Sequence, residues 1–249
     1  MAYHFLAIIS HYSKGYRVGW HYSSEEQLDK TVMNGFMSKI KRKCGDVQLG
    51  LHKLSTESTS ISSVVEKDSF FEDVIFTEDM DTFINYVAGD QKLSALDISK
   101  FVLTIWPMSH IKLQKILYYI YSEFLVRTGE RLFNDPIVSY KYGPVVESVF
   151  SRFTEHGASI IDYTEDENFI IAADDMAATP SLIKVITSEH GSSAVDCIFD
   201  IMHKYGEEKP FSLVDRTHRK GGPWHRVYQP GKNNVITDES ILQYQYLVE

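Results

Sequence analysis

The sequence predicts an α+β protein, with a mixed α/β region over residues 1–90 followed by a mostly helical domain over residues 91–249 that includes a small β-hairpin. Residues 3–10 and 16–22 are rich in aromatic and branched apolar residues, which is typical of strands. Gly89-Asp90-Gln91-Lys92 is short and polar, and beyond it apolar residues recur at helical spacing between Ser, Gly and Pro residues. We therefore place a domain boundary at this segment.

The composition is that of a globular chain with a substantial core. The 249 residues are 43% hydrophobic and 24% charged, which suits one large domain or two small ones. The 25 Lys and Arg against 34 Asp and Glu give a net charge of −9. This charge argues against a nucleic-acid partner, because proteins that bind nucleic acids need a basic surface for phosphates.

The sequence also predicts a cytoplasmic location. Cys44 and Cys197 are far apart in sequence and too few for a disulfide framework or a cysteine-ligated zinc site. Apolar runs fall short of the roughly 18 to 20 residues that span a bilayer. The first ten residues lack the basic start and small-residue cleavage site of a signal peptide. We expect no membrane partner.

One long helix is predicted in the N-terminal region, over residues 25–43. Ser23 and Glu26 have the spacing of a capping box. Basic residues fill the last turn, where cations interact favourably with the helix dipole, and Gly45 ends the helix. Ser13-Lys14-Gly15 is predicted to be the turn between the first two strands.

The rest of this region is predicted to contain two further strands and a short helix. The strands are placed at residues 47–54 and 61–66, on either side of a loop rich in Ser and Thr. The helix is placed at residues 78–88, with Thr77 as its cap and Gly89 as its end.

The C-terminal region is predicted to be built from helices with clear boundary residues. Ser94 caps a helix that runs to about residue 105, and Ser109 caps a helix over residues 110–128 that Gly129 ends. Further helices are predicted after Thr179-Pro180, over residues 194–205, on both sides of Gly221-Gly222-Pro223, and from Thr237 to about residue 247.

Two β features interrupt these helices. A strand is predicted over residues 137–142, and Gly143-Pro144 is expected to open a helix that Gly157 closes, since Pro favours the first helical position. Ile160 and Ile161 are expected to pair with residues 169–171 in a hairpin.

Sequence motifs for catalysis are weak, and we predict no catalytic, cofactor-binding or metal-binding residues. The ten histidines are scattered, and no H-E-x-x-H, phosphate-loop or nucleophile-elbow motif occurs. Thr217 and His218, near Asp215, are an alternative nucleophile and base. The favoured interpretation is a capping Thr, a partly buried His and an anchoring Trp224.

The stretch between Arg152 and Lys184 is unusually acidic, because it contains no Lys or Arg. Its acidic residues are Glu155, Asp162, Glu165, Asp166, Glu167, Asp174 and Asp175. One interpretation is a polar rim that keeps the protein soluble. The functional alternative is a patch that attracts a basic partner surface.

Residues 93–246 carry three motifs in a recognisable order. They are a helix with Lys112, Leu113, Gln114, Lys115, Tyr118 and Tyr119; a turn with Tyr140, Gly143, Pro144 and Val145; and an element with Thr217, His218, Pro223 and Trp224. With these motifs the chain resembles the Panacea domain, also called the SocA-like antitoxin domain. Residues 1–90 match no family that we can name.

The resemblance implies a non-enzymatic antitoxin of a type II toxin–antitoxin pair, which neutralises a cognate protein toxin encoded nearby by binding it. Toxins paired with the family include alarmone-synthetase-like enzymes that modify tRNA. Two alternatives remain open: a protease adaptor that delivers the toxin for degradation, and a detoxifying enzyme that uses Thr217 and His218. The motif residues serve either the fold or partner binding. Residues 1–90 and an acidic patch of Asp162, Glu165, Asp166 and Glu167 are the candidates for toxin specificity.

Overall fold

The computed structural model describes residues 1–11, 16–45, 47–165, 171–173 and 176–249. The predicted turn Ser13-Lys14-Gly15 and the acidic residues Asp166, Glu167, Asp174 and Asp175 lie outside the described residues. The chain divides into two compact units, Met1–Lys92 and Leu93–Glu249. Together they are an α+β protein, as the sequence predicts.

The first unit is built on a four-stranded sheet. Its strands are β1 (Ala2–His11), β2 (Tyr16–Ser24), β3 (Gly50–Thr56) and β4 (Val74–Thr77), in the order β3-β1-β2-β4. β1 pairs antiparallel with β2 and β3, while β4 pairs parallel with β2. Because side chains alternate along a strand, the two sheet faces receive different residues.

Helices cover both faces of this sheet. The helices are α1 (Lys30–Cys44), α2 (Ile61–Lys67) and α3 (Met80–Asp90). On one face, Phe5 and Trp20 pack against Phe36 of α1 and Phe83 of α3. On the other, Leu6 and Ile8 pack against Val64 of α2, Phe71 and Val74.

Three predictions for the first unit are wrong: the start of α1, the cap and end of α3, and the assignment of residues 61–66 to a strand. α1 begins at Lys30, where the Asp29 side chain accepts from Thr31 N, because Ser23 belongs to β2 and pairs with His4. Residues 61–66 form helix α2 instead of a strand, since the Ser60 hydroxyl caps it by accepting from Ser62 N. α3 is capped by Asp79, and Gly89 lies inside it.

The second unit surrounds a central helix, α5 (His110–Thr128), whose side chains are buried on nearly all sides. The preceding helix, α4 (Ala95–Ile105), has the predicted Ser94 cap, in a capping box with Asp97. Gly129 ends α5 in the left-handed conformation, with φ of 74°. The remaining elements are β5 (Met108–Ser109), β6 (Ile137–Tyr140), β7 (Gly143–Val146), α6 (Glu147–Arg152), β8 (Ile160–Ile161), β9 (Ile171–Ala173), β10 (Met176–Ala178), α7 (Pro180–Ile186), α8 (Gly191–Tyr205), α9 (Pro210–Thr217), α10 (Pro223–Val227) and α11 (Asp238–Tyr244).

The short strands of this unit differ from the prediction. Gly143 and Pro144 lie in β7, which pairs with β6, and the helix begins only at Glu147. Ile160 and Ile161 pair with β5 rather than with a following strand, and β9 pairs with β10. The β5–β8 pairing joins distant segments, whereas the other two pairings join strands that are close in sequence. Periodicity in such short apolar runs does not reveal which strands pair.

Candidate functional site

The candidate site is the signature cluster, which comprises the motif residues of α5, the β6–β7 hairpin, α9 and α10. Most of these side chains point inward. Leu113, Gln114, Lys115, Tyr118, Tyr119 and Thr217 are each no more than 2% exposed, and Lys112, Val145 and Trp224 are buried as well. A polar side chain that is buried needs a hydrogen-bond partner, so its contacts reveal its role.

Gln114 ties α5 to strand β7 through both atoms of its amide group. Its Oε1 accepts from Val146 N at 2.7 Å, and its Nε2 donates to Val146 O at 3.4 Å. The side chain therefore binds the strand as a neighbouring peptide group would. The short hairpin gains two hydrogen bonds that a two-stranded sheet alone does not provide.

Lys115 is a buried amine bound to the same hairpin. Its Nζ donates to Pro144 O at 2.7 Å, and the side chain is 1% exposed. Burial disfavours the charged ammonium and lowers the pKa of Lys115 to about 7. Close to neutral pH the side chain is therefore divided between the amine and the ammonium.

The turn between β6 and β7 requires glycine at position 143. Gly143 has a φ of 98°, which side chains rarely adopt. A Cβ there would lie 2.7 Å from Thr217 Oγ1 and 2.8 Å from Lys115 Cε. Glycine thus allows α5, α9 and the hairpin to approach one another closely.

Trp224 joins α10 to the hairpin. Its Nε1 donates to Tyr140 O at 2.9 Å. Its ring stacks with His218, at a centroid distance of 3.7 Å, and with Tyr228, at 4.4 Å. The predicted anchoring role of Trp224 thus has a defined acceptor and two stacking partners.

The tyrosines of α5 hold the C-terminal part of the unit. Tyr118 Oη donates to Gln245 Oε1 at 2.6 Å, and Tyr119 Oη donates to Val248 O at 3.1 Å. Burial raises the pKa of both phenols, which therefore stay protonated donors. Tyr121, which the motif reasoning does not single out, donates to Asp238 of α11 at 2.7 Å. The sequence does not indicate this hydrogen bond, because its two residues are 117 positions apart.

Lys112 contacts the segment that follows helix α8. Its Nζ donates to Gly206 O, beyond the end of α8. The ammonium also lies 5.7 Å from the centroid of the Trp106 ring. Burial lowers the pKa of Lys112, while Glu207 and Glu208 act in the opposite direction. Both lysines of the motif thus bind backbone carbonyl groups of other elements.

The geometry around Thr217 and His218 favours a structural role. Thr217 Oγ1 donates to Val214 O at 2.8 Å, within its own helix. His218 Nε2 is buried without a hydrogen-bond partner in the described part of the chain, and the ring faces Trp224. Desolvation lowers the pKa of His218, with the Lys115 charge adding to the effect. The Thr217 hydroxyl thus binds the backbone of its own helix, and no bond joins it to the His218 imidazole as the nucleophile–base alternative would require.

The two described members of the acidic patch differ in environment. Asp162 is exposed, whereas Glu165 is half-buried and accepts hydrogen bonds from Ser181 N at 3.1 Å and Tyr163 Oη at 3.2 Å. Glu165 therefore holds the first turn of α7 and is less available to a partner than Asp162.

The described residues also bear on metal binding and membrane insertion. No group of three or more His, Cys, Asp or Glu side chains there is placed to hold a metal ion. Within the same residues, no helix has the length and apolar character needed to cross a membrane. Cys44 and Cys197 are both buried, and neither forms a disulfide.

These contacts define the second unit as a helical domain in which one central helix fastens a strand hairpin and a C-terminal helical segment. Residues 113–225 match the family "Antitoxin SocA-like, Panacea domain". The resemblance seen in the sequence is confirmed.

A curated relative supports the same assignment. The chain is 29% identical over 143 residues to Antitoxin SocA of Caulobacter vibrioides (strain NA1000 / CB15N). The aligned part covers 57% of this chain and 68% of that protein. No solved structure matches the chain significantly.

Proposed function

We propose that this protein is an antitoxin that neutralises a cognate protein toxin, encoded nearby, by binding it directly. The observation that carries the proposal is the Panacea domain over residues 113–225, together with the similarity to a protein named as an antitoxin. Neutralisation takes place through a protein–protein interface and needs no chemical step.

The internal placement of the signature residues supports binding rather than catalysis. Gln114, Lys115 and Trp224 each bind backbone groups of the hairpin, and Thr217 binds its own helix. These bonds give each side chain a structural role, which is what a binding domain requires of its scaffold. The signature therefore specifies the scaffold, and toxin-specific contacts come from other residues.

Two regions outside the signature are proposed as those contacts. One is the residue 1–90 region, which lies within the first unit and outside the family match. The other is the acidic segment that includes Asp162. An alarmone-synthetase-like toxin that modifies tRNA needs a basic surface, and acidic side chains would complement that surface.

The primary test combines complex isolation with growth rescue. The protein is co-expressed with the product of the adjacent reading frame, the complex is isolated, and its stoichiometry is measured. Growth is then followed while the antitoxin level is titrated against a fixed toxin level. A stable complex, with rescue that saturates at the stoichiometry of the complex, is the expected result. Rescue without a complex would reject neutralisation by binding.

The acidic segment is tested by reversing charge while sparing Glu165. The variant Asp162→Lys/Asp166→Lys/Glu167→Lys is compared with a control of equal charge change at three exposed acidic residues of the second unit, Glu189, Asp196 and Glu239. We expect weaker toxin binding and a smaller salt dependence for the first variant alone. Equal affinities for both variants would remove the acidic segment from the interface.

The same assays separate the two alternatives. A protease adaptor shortens the half-life of the toxin in cells, so toxin turnover would depend on the antitoxin level. A detoxifying enzyme protects at substoichiometric amounts, and that protection would fail in Thr217→Val, which removes the hydroxyl and nearly keeps the side-chain volume. Direct binding predicts stoichiometric protection in both the wild type and this variant.

A further inference from the structure

The first unit contains an open groove beside helix α1. Its volume is about 670 Å³, and its lining comes from the C-terminal half of α1, the segment that follows it and the start of β3. The lining residues are Met37, Ser38, Ile40, Lys41, Arg42, Gly45, Val47, Leu49 and Leu51. This volume lies within the range of sites that hold small ligands or anchoring side chains.

The groove has an apolar wall that remains accessible. Met37 is 41% exposed and Leu51 is 46% exposed, while Val47 and Leu49 are half-buried. Ile40 contributes from the core below. Clustered exposure of large apolar side chains indicates a contact surface more strongly than isolated exposure does.

The two flanks of α1 have different neighbours. On one flank, Lys39 binds Asp81 of α3 at 2.7 Å and Lys43 binds Asn85 of the same helix. α3 therefore packs along that side of α1 over the sheet. On the other flank, Met37 and Arg42 face the groove. The groove thus has the position that a further helix would take beside α1.

The charged residues at the groove are basic. Lys41 and Arg42 line it, and Lys53 lies two residues beyond Leu51, on the same face of β3. This positive edge contrasts with the net charge of −9 for the whole chain. A partner that covers the groove gains most when it combines apolar and acidic side chains.

We propose that the groove binds an amphipathic helical segment of the cognate toxin, with apolar side chains against Met37 and Leu51 and acidic side chains against Arg42 and Lys53. This inference rests on the proposed antitoxin function and adds the chemistry of one interface to it. An amphipathic helix fits because its apolar face buries into a groove between two structural elements while its polar face meets the charged rim. The aliphatic floor favours a protein segment over nucleic acid, which binds to aromatic stacking platforms.

The test uses the full chain and the purified product of the adjacent reading frame. The groove variant Arg42→Glu/Leu51→Asp reverses one rim charge and places a carboxylate on the apolar wall. Its matched control, Lys30→Glu/Ile75→Asp, makes the same changes at exposed positions of α1 and β4. Both variants are first compared with the wild type by circular dichroism and thermal unfolding.

We expect the groove variant to lose at least tenfold in toxin affinity and the control to change by less than twofold. Hydrogen exchange on complex formation should slow in residues 37–42 and 47–53. Overlapping peptides from the same protein should show that an acidic amphipathic segment competes for binding. Such a peptide should bind the control variant and fail to bind the groove variant.

Distinct results would overturn the inference. If the groove variant binds and neutralises as the wild type does, the groove is not the interface, although the antitoxin function stands. If the wild type neither binds nor neutralises, the antitoxin proposal fails and this inference fails with it. If sedimentation shows a wild-type dimer that the groove variant lacks, with toxin affinity unchanged, a second copy of the chain occupies the groove.

Discussion

Replacement of Lys115 by methionine should change how the stability of the protein depends on pH. Met is close in length and apolar, so Lys115→Met keeps much of the packing while it removes the amine and its bond to Pro144 O. In the wild type, burial lowers the pKa of Lys115 to about 7. The unfolded chain keeps the ordinary value of about 10.4.

The direction of this pH dependence follows from the number of protons that the folded and unfolded states bind. Between the two pKa values the unfolded state binds one more proton than the folded state, so the free energy of unfolding rises with pH. The contribution of Lys115 is complete above the unfolded pKa and is lost as pH falls toward 7. With a limiting slope of about 1.4 kcal/mol per pH unit, the gain from pH 7 to pH 9 is about 2 kcal/mol.

The assay is urea denaturation of the wild type and Lys115→Met at pH 7, 8 and 9. The difference between the two proteins isolates the Lys115 contribution, because other groups titrate in both. Lys232→Met is the control, since Lys232 is exposed in the same unit. We expect the wild type to gain about 2 kcal/mol relative to Lys115→Met across this range, and no gain relative to the control. A difference between wild type and Lys115→Met that is independent of pH would refute the reasoning.

Three further predictions concern contacts within each of the two units. Gly143→Ala should lower the free energy of unfolding by more than about 2 kcal/mol, because the added Cβ meets two neighbouring elements. Gly129→Ala, whose Cβ would meet open space, should lower it by about 1 kcal/mol. Denaturation midpoints test this, and equal losses would contradict it. Gln114→Leu leaves two backbone groups of β7 unpaired and should lose about 2 to 4 kcal/mol in the same assay, so a loss below 1 kcal/mol would be evidence against the double hydrogen bond. His4 and His21 are buried and hydrogen-bonded at 2.9 Å, and desolvation lowers both pKa values, so stability should fall as pH drops below about 6.5. His4→Gln/His21→Gln should remove part of that fall, because His110 and His218, whose pKa values desolvation also lowers, remain in the variant. An unchanged pH profile in this double variant would show that the acid sensitivity has another origin.

Local signals in the sequence predicted most of the helices of the second unit. Ser94 and Thr179 cap helices there as expected, and Gly129 ends α5, because these caps depend on a few neighbouring residues. The sequence of residues 61–66 favours a strand, but Ser60 provides a helix cap and Val64 packs onto the sheet. Tertiary packing decides such short segments, and periodicity alone cannot.

In the candidate site, too, the sequence indicates some features and only the fold reveals others. The motif spacing selects residues that the structure places mostly in the core, and their functional importance stays a prediction. The acceptors of Gln114, Lys115 and Tyr118 were beyond prediction, because they lie 32, 29 and 127 residues away in sequence. The groove beside α1 had no sequence signal. Its basic residues fit the ordinary pattern of a helix C-terminus, and only the fold places Leu51 opposite Met37.

The parallel pairing of β4 with β2 has a consequence for synthesis on the ribosome. Arg17 pairs with Val74, so the outer edge of β2 stays open until the chain has been extended through Thr77. During that interval the nascent β1–β2 hairpin presents unsatisfied N–H and C=O groups, to which another chain can add. Fragments that end before β4 should therefore self-associate, whereas fragments that extend beyond Asp90 include both the strand that closes this edge and helix α3. Truncation experiments on the first unit should keep β4 for this reason.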